Sequence, residues 1–307
     1  MVLLLSFKKQ SLLLLALLLS CNLFFAQELT TATYKEINNL LYVAKNEVRS
    51  DSLQRLNLVL PVFKKNVPLL IWIGGGAWSY GDRNQEMPLA RKLAAAGIAV
   101  ASISHRMSPA IWRDSTLNKG VQHPAHIKDV AAATKWLYQQ ADQYNYSKTL
   151  FYVGGYSSGA HLAALLDLNP TYLEEVGLPA DLFKGMIPIS GTYDIKDYHR
   201  AMAQGSQPEL AVLHVEAVFG KGEEVFLNAS PTHYLKNLKT PILLVSDNNI
   251  YNYTRLFEDK IRATNFRKIQ SVYIHHLSHG ELWKNLSFEK ESIYRDLVVD
   301  FILENRN

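Results

Sequence analysis

The most informative part of this chain is Thr149-Leu-Phe-Tyr-Val-Gly-Gly-Tyr-Ser-Ser-Gly-Ala-His-Leu-Ala-Ala-Leu-Leu166. It begins with a short apolar run typical of a buried strand and ends with an Ala/Leu run that favours a helix. Between them, Gly155-Tyr156-Ser157-Ser158-Gly159 matches the pattern G-x-S-x-G. Glycine is needed on both sides because the tight turn leaves no room for a Cβ atom, and strain at Ser157 lifts its hydroxyl above the sheet. The stretch therefore predicts a strand, a tight turn and a helix whose first N–H groups point at Ser157.

The rest of the chain alternates between strand-like and helix-like patterns. Apolar runs typical of strands cover residues 56–62, 69–73, 98–104, 149–153, 185–189, 241–245 and 268–275. Apolar residues recur at helical spacing in residues 85–96, 125–140, 159–168, 253–264 and 288–304. Short strands separated by helices predict an α/β fold with a mostly parallel central sheet flanked by helices. We expect one domain over residues 27–307, with a less regular insertion at about 192–235.

Composition excludes several classes of protein. Of the 307 residues, 48% are hydrophobic and 20% are charged, so there is enough apolar surface to exclude a disordered chain. The single cysteine excludes a disulfide scaffold and a cysteine-based metal site. The net charge of +4 is small and there is no dense run of Lys and Arg, so the sequence does not favour a nucleic-acid-binding protein.

Residues 1–26 have the pattern of a secretory signal peptide. Lys8 and Lys9 precede an apolar run over residues 12–19, which is shorter than the ~20 residues of a membrane-spanning helix. We expect cleavage after Ala26 and a secreted or periplasmic protein without a membrane span. Leu18-Leu-Ser-Cys21 allows an alternative, because it resembles a bacterial lipobox in which Cys21 would be lipidated and anchor the protein.

A second glycine-rich turn lies upstream, where the predicted strand that begins at Leu69 ends in Gly74-Gly75-Gly76. Such a loop lets backbone N–H groups approach a ligand closely. Together with the Ser157 turn, it predicts an oxyanion hole formed by the amides of Gly75, Gly76 and Ser158.

A histidine pattern follows the last predicted strand, in His275-His276-Leu-Ser-His279-Gly280. A serine nucleophile needs a base on a loop at the same edge of the sheet, and His279 fits that requirement. The pattern also invites a metal site, but neighbouring His275 and His276 would point to opposite faces of a strand. We therefore expect no metal ion and no other cofactor.

The order of glycine loop, serine turn, acid and histidine resembles the α/β-hydrolase fold, and most closely its secreted esterase/lipase-like (carboxylesterase) and kynurenine-formamidase-like branch. The resemblance covers about residues 40–305. It is supported by segments 81–83, 104–108, 123–133, 190–194 and 229–231. It implies a serine hydrolase that cleaves a small-molecule acyl ester with Ser157 as nucleophile and His279 as base. We also expect the insertion to shape the substrate pocket, where Tyr193, Tyr198, His199 and Phe219 are either lining or core residues.

Two positions depart from the family pattern. The histidine that opens the family's H-G-G loop is Gly74 here, although an oxyanion hole of backbone amides can persist without it. After the seventh predicted strand, the family's G-x-x-D pattern places Asn249 at the acid position. Asp247 is the only carboxylate in that loop, and Asp194 follows the preceding strand. We predict Asp247 as the acid, with Asp194 as the alternative, while Asn249 would leave the site without a working acid.

Two other functions stay open at this point. An arylformamide substrate is an alternative, because an ester is favoured only by the resemblance and by export. A non-catalytic binding protein on the same scaffold is the other, because of the two departures. A carboxylate oxygen at ~3 Å from His279 Nδ1 would favour an enzyme, and Asn249 in that place would favour the binding protein.

Overall fold

The computed structural model of the protein describes residues 33–44, 53–62 and 64–305. From Tyr34 onward, these residues form one compact unit. The expected signal peptide, with Cys21 and the cleavage site after Ala26, lies outside the described residues. No helix of the described part is long and apolar enough to cross a membrane.

Eight strands form one sheet. They are β1 (Tyr34–Leu41), β2 (Arg55–Pro61), β3 (Val67–Ile73), β4 (Ala99–Ile103), β5 (Tyr146–Tyr156), β6 (Phe183–Ile189), β7 (Ile242–Asp247) and β8 (Ile269–Ile274). Their order in the sheet is β1-β2-β4-β3-β5-β6-β7-β8. Strand β2 pairs antiparallel with β1 and β4, and all other neighbours are parallel. The predicted mostly parallel sheet is confirmed.

Helices cover both faces of this sheet. They are α1 (Met87–Ala95), α2 (Ala125–Tyr144), α3 (Ser158–Leu168), α4 (Thr171–Glu175), α5 (Ile195–Ala203), α6 (Ala217–Phe219), α7 (Glu223–Asn228), α8 (Tyr251–Arg262), α9 (His279–Phe288) and α10 (Ile293–Glu304). A π-helix spans Ala211–Glu216 and a 3-10 helix spans Pro231–Asn237. Buried side chains of α2, α3 and α8 join one core, and those of α1, α9 and α10 join the other.

Strand β3 shows why the central runs are continuously apolar. Leu69 and Ile71 belong to one core, whereas Leu70 and Trp72 belong to the other, and all four are at most 1% exposed. A strand buried on both faces has no solvent side that requires polar residues. The carboxyl ends of the parallel strands meet at one edge of such a sheet, which is where ligands bind in open α/β folds.

Strand β1, helices α4 and α9, and the short helices within residues 192–235 were not expected from the sequence. Strand β1 lies at the edge of the sheet and is only partly buried, so its polar residues obscure the apolar alternation. Helix α9 begins at His279, and the expectation of a loop at this residue is wrong. The reason is a capping box, in which Ser278 and Glu281 satisfy the free backbone N–H groups at the helix start.

Candidate active site

The turn around Ser157 joins β5 to α3. Ser157 is partly exposed and has φ 55° and ψ −120°, a strained conformation for a residue with a side chain. A Cβ atom at Gly155 would lie 2.5 Å from the carbonyl oxygen of Ile73, and one at Gly159 would collide with the same oxygen. The turn therefore has the geometry that the two glycines predict.

The loop Gly74-Gly75-Gly76 extends β3 and lies against the serine turn. A Cβ atom at Gly75 would be 3.1 Å from Cβ of Ser157. Among the described residues, no hydrogen bond uses the N–H group of Gly75 or Gly76. Ser158 is the first residue of α3, so its N–H group has no acceptor within the helix. Gly75 thus lies beside Ser157, and among the described residues the N–H groups of Gly75, Gly76 and Ser158 have no acceptor.

The imidazole of His279 meets the carboxylate of Asp247. Nδ1 of His279 lies 2.7 Å from Oδ2 of Asp247, which ends β7 and is 1% exposed. The other oxygen, Oδ1, accepts hydrogen bonds from the backbone N–H groups of Asn249 at 2.8 Å and Ile250 at 3.1 Å. Burial by itself would raise the pKa of Asp247, but hydrogen bonds from His279 and Ser190 and the charge of His279 hold this pKa below its ordinary value. Asp247 is therefore an ionised acceptor for the imidazole.

Asn249 has a different place in the same turn. Its Oδ1 atom accepts a hydrogen bond from the backbone N–H of His279 at 2.8 Å, and it does not take the acid's position at the ring. Asn249 and Asp247 therefore hold His279 at two points, one at the backbone and one at the imidazole.

Asp194 is occupied elsewhere. It is the N-cap of α5, where it accepts a hydrogen bond from the N–H of Asp197 at 3.0 Å. Its other oxygen accepts from Thr232 at 3.0 Å and pairs with Lys260 at 2.9 Å. Burial would raise the pKa of Asp194, but these partners hold it below its ordinary value. Of the three candidates for the acid, the structure brings only Asp247 to the imidazole.

Two residues of the site were missed by reasoning from the sequence. The hydroxyl of Tyr156 donates to the carbonyl of His279 at 2.5 Å, and the two rings lie 4.9 Å apart. Burial and the charge of Asp247 raise the pKa of Tyr156, so it stays a neutral donor. Ser190, which has φ 53°, accepts the backbone N–H of Asp247 at 3.0 Å. Tyr156 could have been found from its place inside the G-x-S-x-G pattern, and Ser190 from its place at the start of segment 190–194, which supports the family resemblance.

The other histidines of the predicted pattern do not converge. His275 packs against Tyr251, and Nε2 of His276 lies 3.3 Å from the hydroxyl of Tyr294. In the part of the chain that the structure describes, no three His, Cys, Asp or Glu side chains are placed to hold a metal ion.

The insertion contacts the glycine loop through aromatic rings. Trp78, just beyond Gly76, packs edge-on against Phe219 at 4.9 Å and donates a hydrogen bond to Nδ1 of His161 at 3.2 Å. Phe219 and Tyr193 are at most 2% exposed, so both are core residues and not pocket lining.

The sheet topology and the serine turn define an α/β-hydrolase. Within that class, the BD-FAE family model matches residues 56–250, more than half of the chain, and the protein belongs to this family. The chain is 27% identical over 225 residues to esterase LipC of Mycobacterium tuberculosis. This alignment covers 70% of this chain and 53% of LipC. It is 27% identical over 187 residues to the kynurenine formamidase of Danio rerio. This alignment covers 61% of this chain and 54% of the formamidase.

The chain spans about half the length of these curated relatives. Among solved structures, esterase B of Lactobacillus rhamnosis has a TM-score of 0.72 at 20% identity, covering 98% of this chain and 96% of the other. At this identity the likeness concerns the fold alone.

Proposed function

We propose that the protein is an exported serine hydrolase that cleaves a carboxylic ester with Ser157, His279 and Asp247. The observation that carries the proposal is the 2.7 Å contact between His279 Nδ1 and the buried, ionised Asp247. A carboxylate in this position keeps the proton on Nδ1 and leaves Nε2 free to act as a base. The similarity to a mycobacterial esterase supports an ester as the substrate.

The reaction has two halves. His279 Nε2 takes the Ser157 proton as the serine oxygen attacks the ester carbonyl, and the amides of Gly75, Gly76 and Ser158 stabilise the resulting oxyanion. One such donor is worth about 3 kcal/mol of transition-state stabilisation. The imidazolium then gives its proton to the leaving alcohol, and the acyl-serine is hydrolysed by a water that His279 activates in the same way. None of these steps needs a cofactor.

The serine and the imidazole must approach each other for this chemistry. Within the described residues, no hydrogen bond joins the Ser157 hydroxyl to His279. Catalytic hydrogen bonds are often long without substrate and shorten in the reactive complex. The backbone strain at Ser157 and the contact of its neighbour Tyr156 with the His279 ring support such an approach.

An arylformamide is the second candidate substrate, because the chain is also similar to a kynurenine formamidase. The same nucleophile and oxyanion hole would serve an amide carbonyl, and the leaving amine would take the proton from His279. The non-catalytic alternative loses its main motive, since a carboxylate and not Asn249 lies at Nδ1.

The test uses the purified mature protein, a fluorophosphonate probe, short p-nitrophenyl esters and an N-formylaniline. We expect covalent labelling at Ser157 and faster hydrolysis of the esters, with both lost in Ser157→Ala. If the enzyme is active but prefers the formamide, the arylformamide becomes the proposed substrate in place of the ester. An unlabelled Ser157 would contradict the serine hydrolase itself.

Export rests on residues 1–26 alone. N-terminal sequencing of the protein from its native source should begin near Gln27. A blocked N-terminus at Cys21, together with partition into detergent, would show that the protein is lipid-anchored and not released.

A further inference from the structure

A buried carboxyl group lies between the glycine loop and the helix that carries His279. Glu86 directly precedes α1 and is 2% exposed. Its Oε2 atom accepts a hydrogen bond from Nε1 of Trp72 at 2.8 Å, and its Oε1 atom accepts one from Nε1 of Trp283 at 3.3 Å. Trp72 is in β3, two residues before Gly74, and Trp283 is in α9, four residues after His279. One side chain thus connects the two segments that would supply the oxyanion donors and the base.

The same carboxyl fills the space beside Gly74. A Cβ atom at Gly74 would lie 2.9 Å from both Cγ and Oε1 of Glu86. A side chain at position 74 is therefore incompatible with Glu86 in its present place. This explains why position 74, which departs from the family pattern, is a glycine. The space that a side chain at Gly74 would need is occupied by Glu86.

The two indole N–H groups of Trp72 and Trp283 require a side chain with two acceptor atoms at position 86. An ionised carboxylate accepts hydrogen bonds through both oxygens, so both indole N–H groups are satisfied at once. A glutamine offers one acceptor and would turn its NH₂ group toward the second indole N–H. No ion pair among the described residues involves Glu86. Burial raises the pKa of Glu86, and the hydrogen bonds from Trp72 and Trp283 offset only part of that rise. A buried acid without a cationic partner is costly, so packing alone does not account for its presence.

We propose that Glu86 is a positioning residue, which sets the place of the Gly75 and Gly76 amides relative to the His279 imidazole by accepting hydrogen bonds from Trp72 and Trp283. Glu86 does not touch the substrate and acts through these two side chains and through its contact with Gly74. The inference rests on the proposed ester hydrolysis.

The test is a double-mutant cycle on Glu86 and Trp283. In Glu86→Gln, we expect kcat to fall about tenfold with KM nearly unchanged, because a small displacement of the oxyanion donors affects the transition state and not substrate binding. In Trp283→Phe the second indole N–H is gone, so a glutamine amide at position 86 can accept from Trp72 with its oxygen while its NH₂ group meets no donor. Adding Glu86→Gln to Trp283→Phe should therefore leave kcat at the level of Trp283→Phe alone.

Asp167 supplies the matched control. It is also buried, burial raises its pKa to about 7, and it accepts one hydrogen bond, from Thr240. Asp167→Asn should change the melting temperature but not kcat, because Asp167 lies at the far end of α3 from Ser157.

The outcomes separate the two proposals. A Glu86→Gln variant with wild-type kcat, or a loss of kcat that persists in full in the Trp283→Phe background, overturns the positioning role while ester hydrolysis stands. A loss of melting temperature in Glu86→Gln without a change in kcat does the same. A wild-type protein that neither hydrolyses the esters nor reacts with the phosphonate overturns both proposals together.

Discussion

Two strand-to-helix turns at the same edge of the sheet each carry an aspartate. The β7–α8 turn carries Asp247, whose carboxylate faces the His279 imidazole. The β6–α5 turn carries Asp194, whose carboxylate caps α5 and pairs with Lys260. Asp247 is fully buried and Asp194 is partly buried, but both have lowered pKa values, so the direction of the pKa shift does not separate them. The difference is the partner: Asp247 meets a histidine, as the proposed triad requires, whereas Asp194 meets the start of a helix.

Of the substitutions that test this comparison, we expect Asp247→Asn to change kcat the most. Asp247→Asn should lower kcat by about 10⁴-fold, as the equivalent exchange does in serine proteases, because the amide favours the wrong imidazole tautomer. The fold should persist, since the Asn carbonyl can still accept the N–H groups of Asn249 and Ile250. Ester hydrolysis measured with the melting temperature checks both statements. A near wild-type kcat would remove Asp247 from the triad.

A smaller effect is expected for the other contact to His279. Asn249→Ala removes the acceptor of the His279 backbone N–H, so kcat should fall about tenfold through displacement of the base. Asn249→Asp keeps an acceptor there and should reduce kcat much less. A sharp gain in activity in Asn249→Asp would mean that position 249, and not Asp247, holds the acid.

For Asp194 the effect should be on stability alone. Asp194→Ala removes the N-cap of α5 and should lower the free energy of unfolding by about 1–2 kcal/mol. The kcat should stay at the wild-type value, because Asp194 has no contact with His279. Urea denaturation and ester hydrolysis on the same preparation separate the two. A large loss of kcat with unchanged stability would contradict the structural role.

The smallest expected effect is on the pH dependence of stability. The folded-state pKa of Asp194 lies below its ordinary value of 3.8, so the ionised form stabilises the fold above about pH 4. That stability is lost as the pH falls through the folded-state pKa. Asp194→Asn keeps a capping oxygen but cannot titrate, so its free energy of unfolding should fall less steeply below pH 4 than that of the wild type. Equal slopes would show that the ionisation of Asp194 contributes nothing measurable to stability.

The serine turn was readable because its signal is a short continuous stretch of sequence, although part of its cause lies in the adjacent strand. Gly155 and Gly159 are required by atoms of the turn itself and of the adjacent β3, and the flanking runs are continuous apolar patterns of strand and helix. Helix α9 was missed, although Ser278-x-x-Glu281 is a capping-box signal that predicts a helix start. Strand β1 had no such signal, because an edge strand that is half exposed shows little alternation.

The α/β class, the serine turn, the glycine loop and His279 as the candidate base can be predicted from the sequence, since each depends on residues that are neighbours in the chain. Which of Asp247, Asn249 and Asp194 meets the imidazole, and which carboxyl group lies beside the glycine loop, follows from the tertiary structure alone. These contacts join segments that are 32 residues apart for Asp247 and His279 and 197 apart for Glu86 and Trp283. Contacts over such separations follow from the order and register of the strands, which no local pattern encodes.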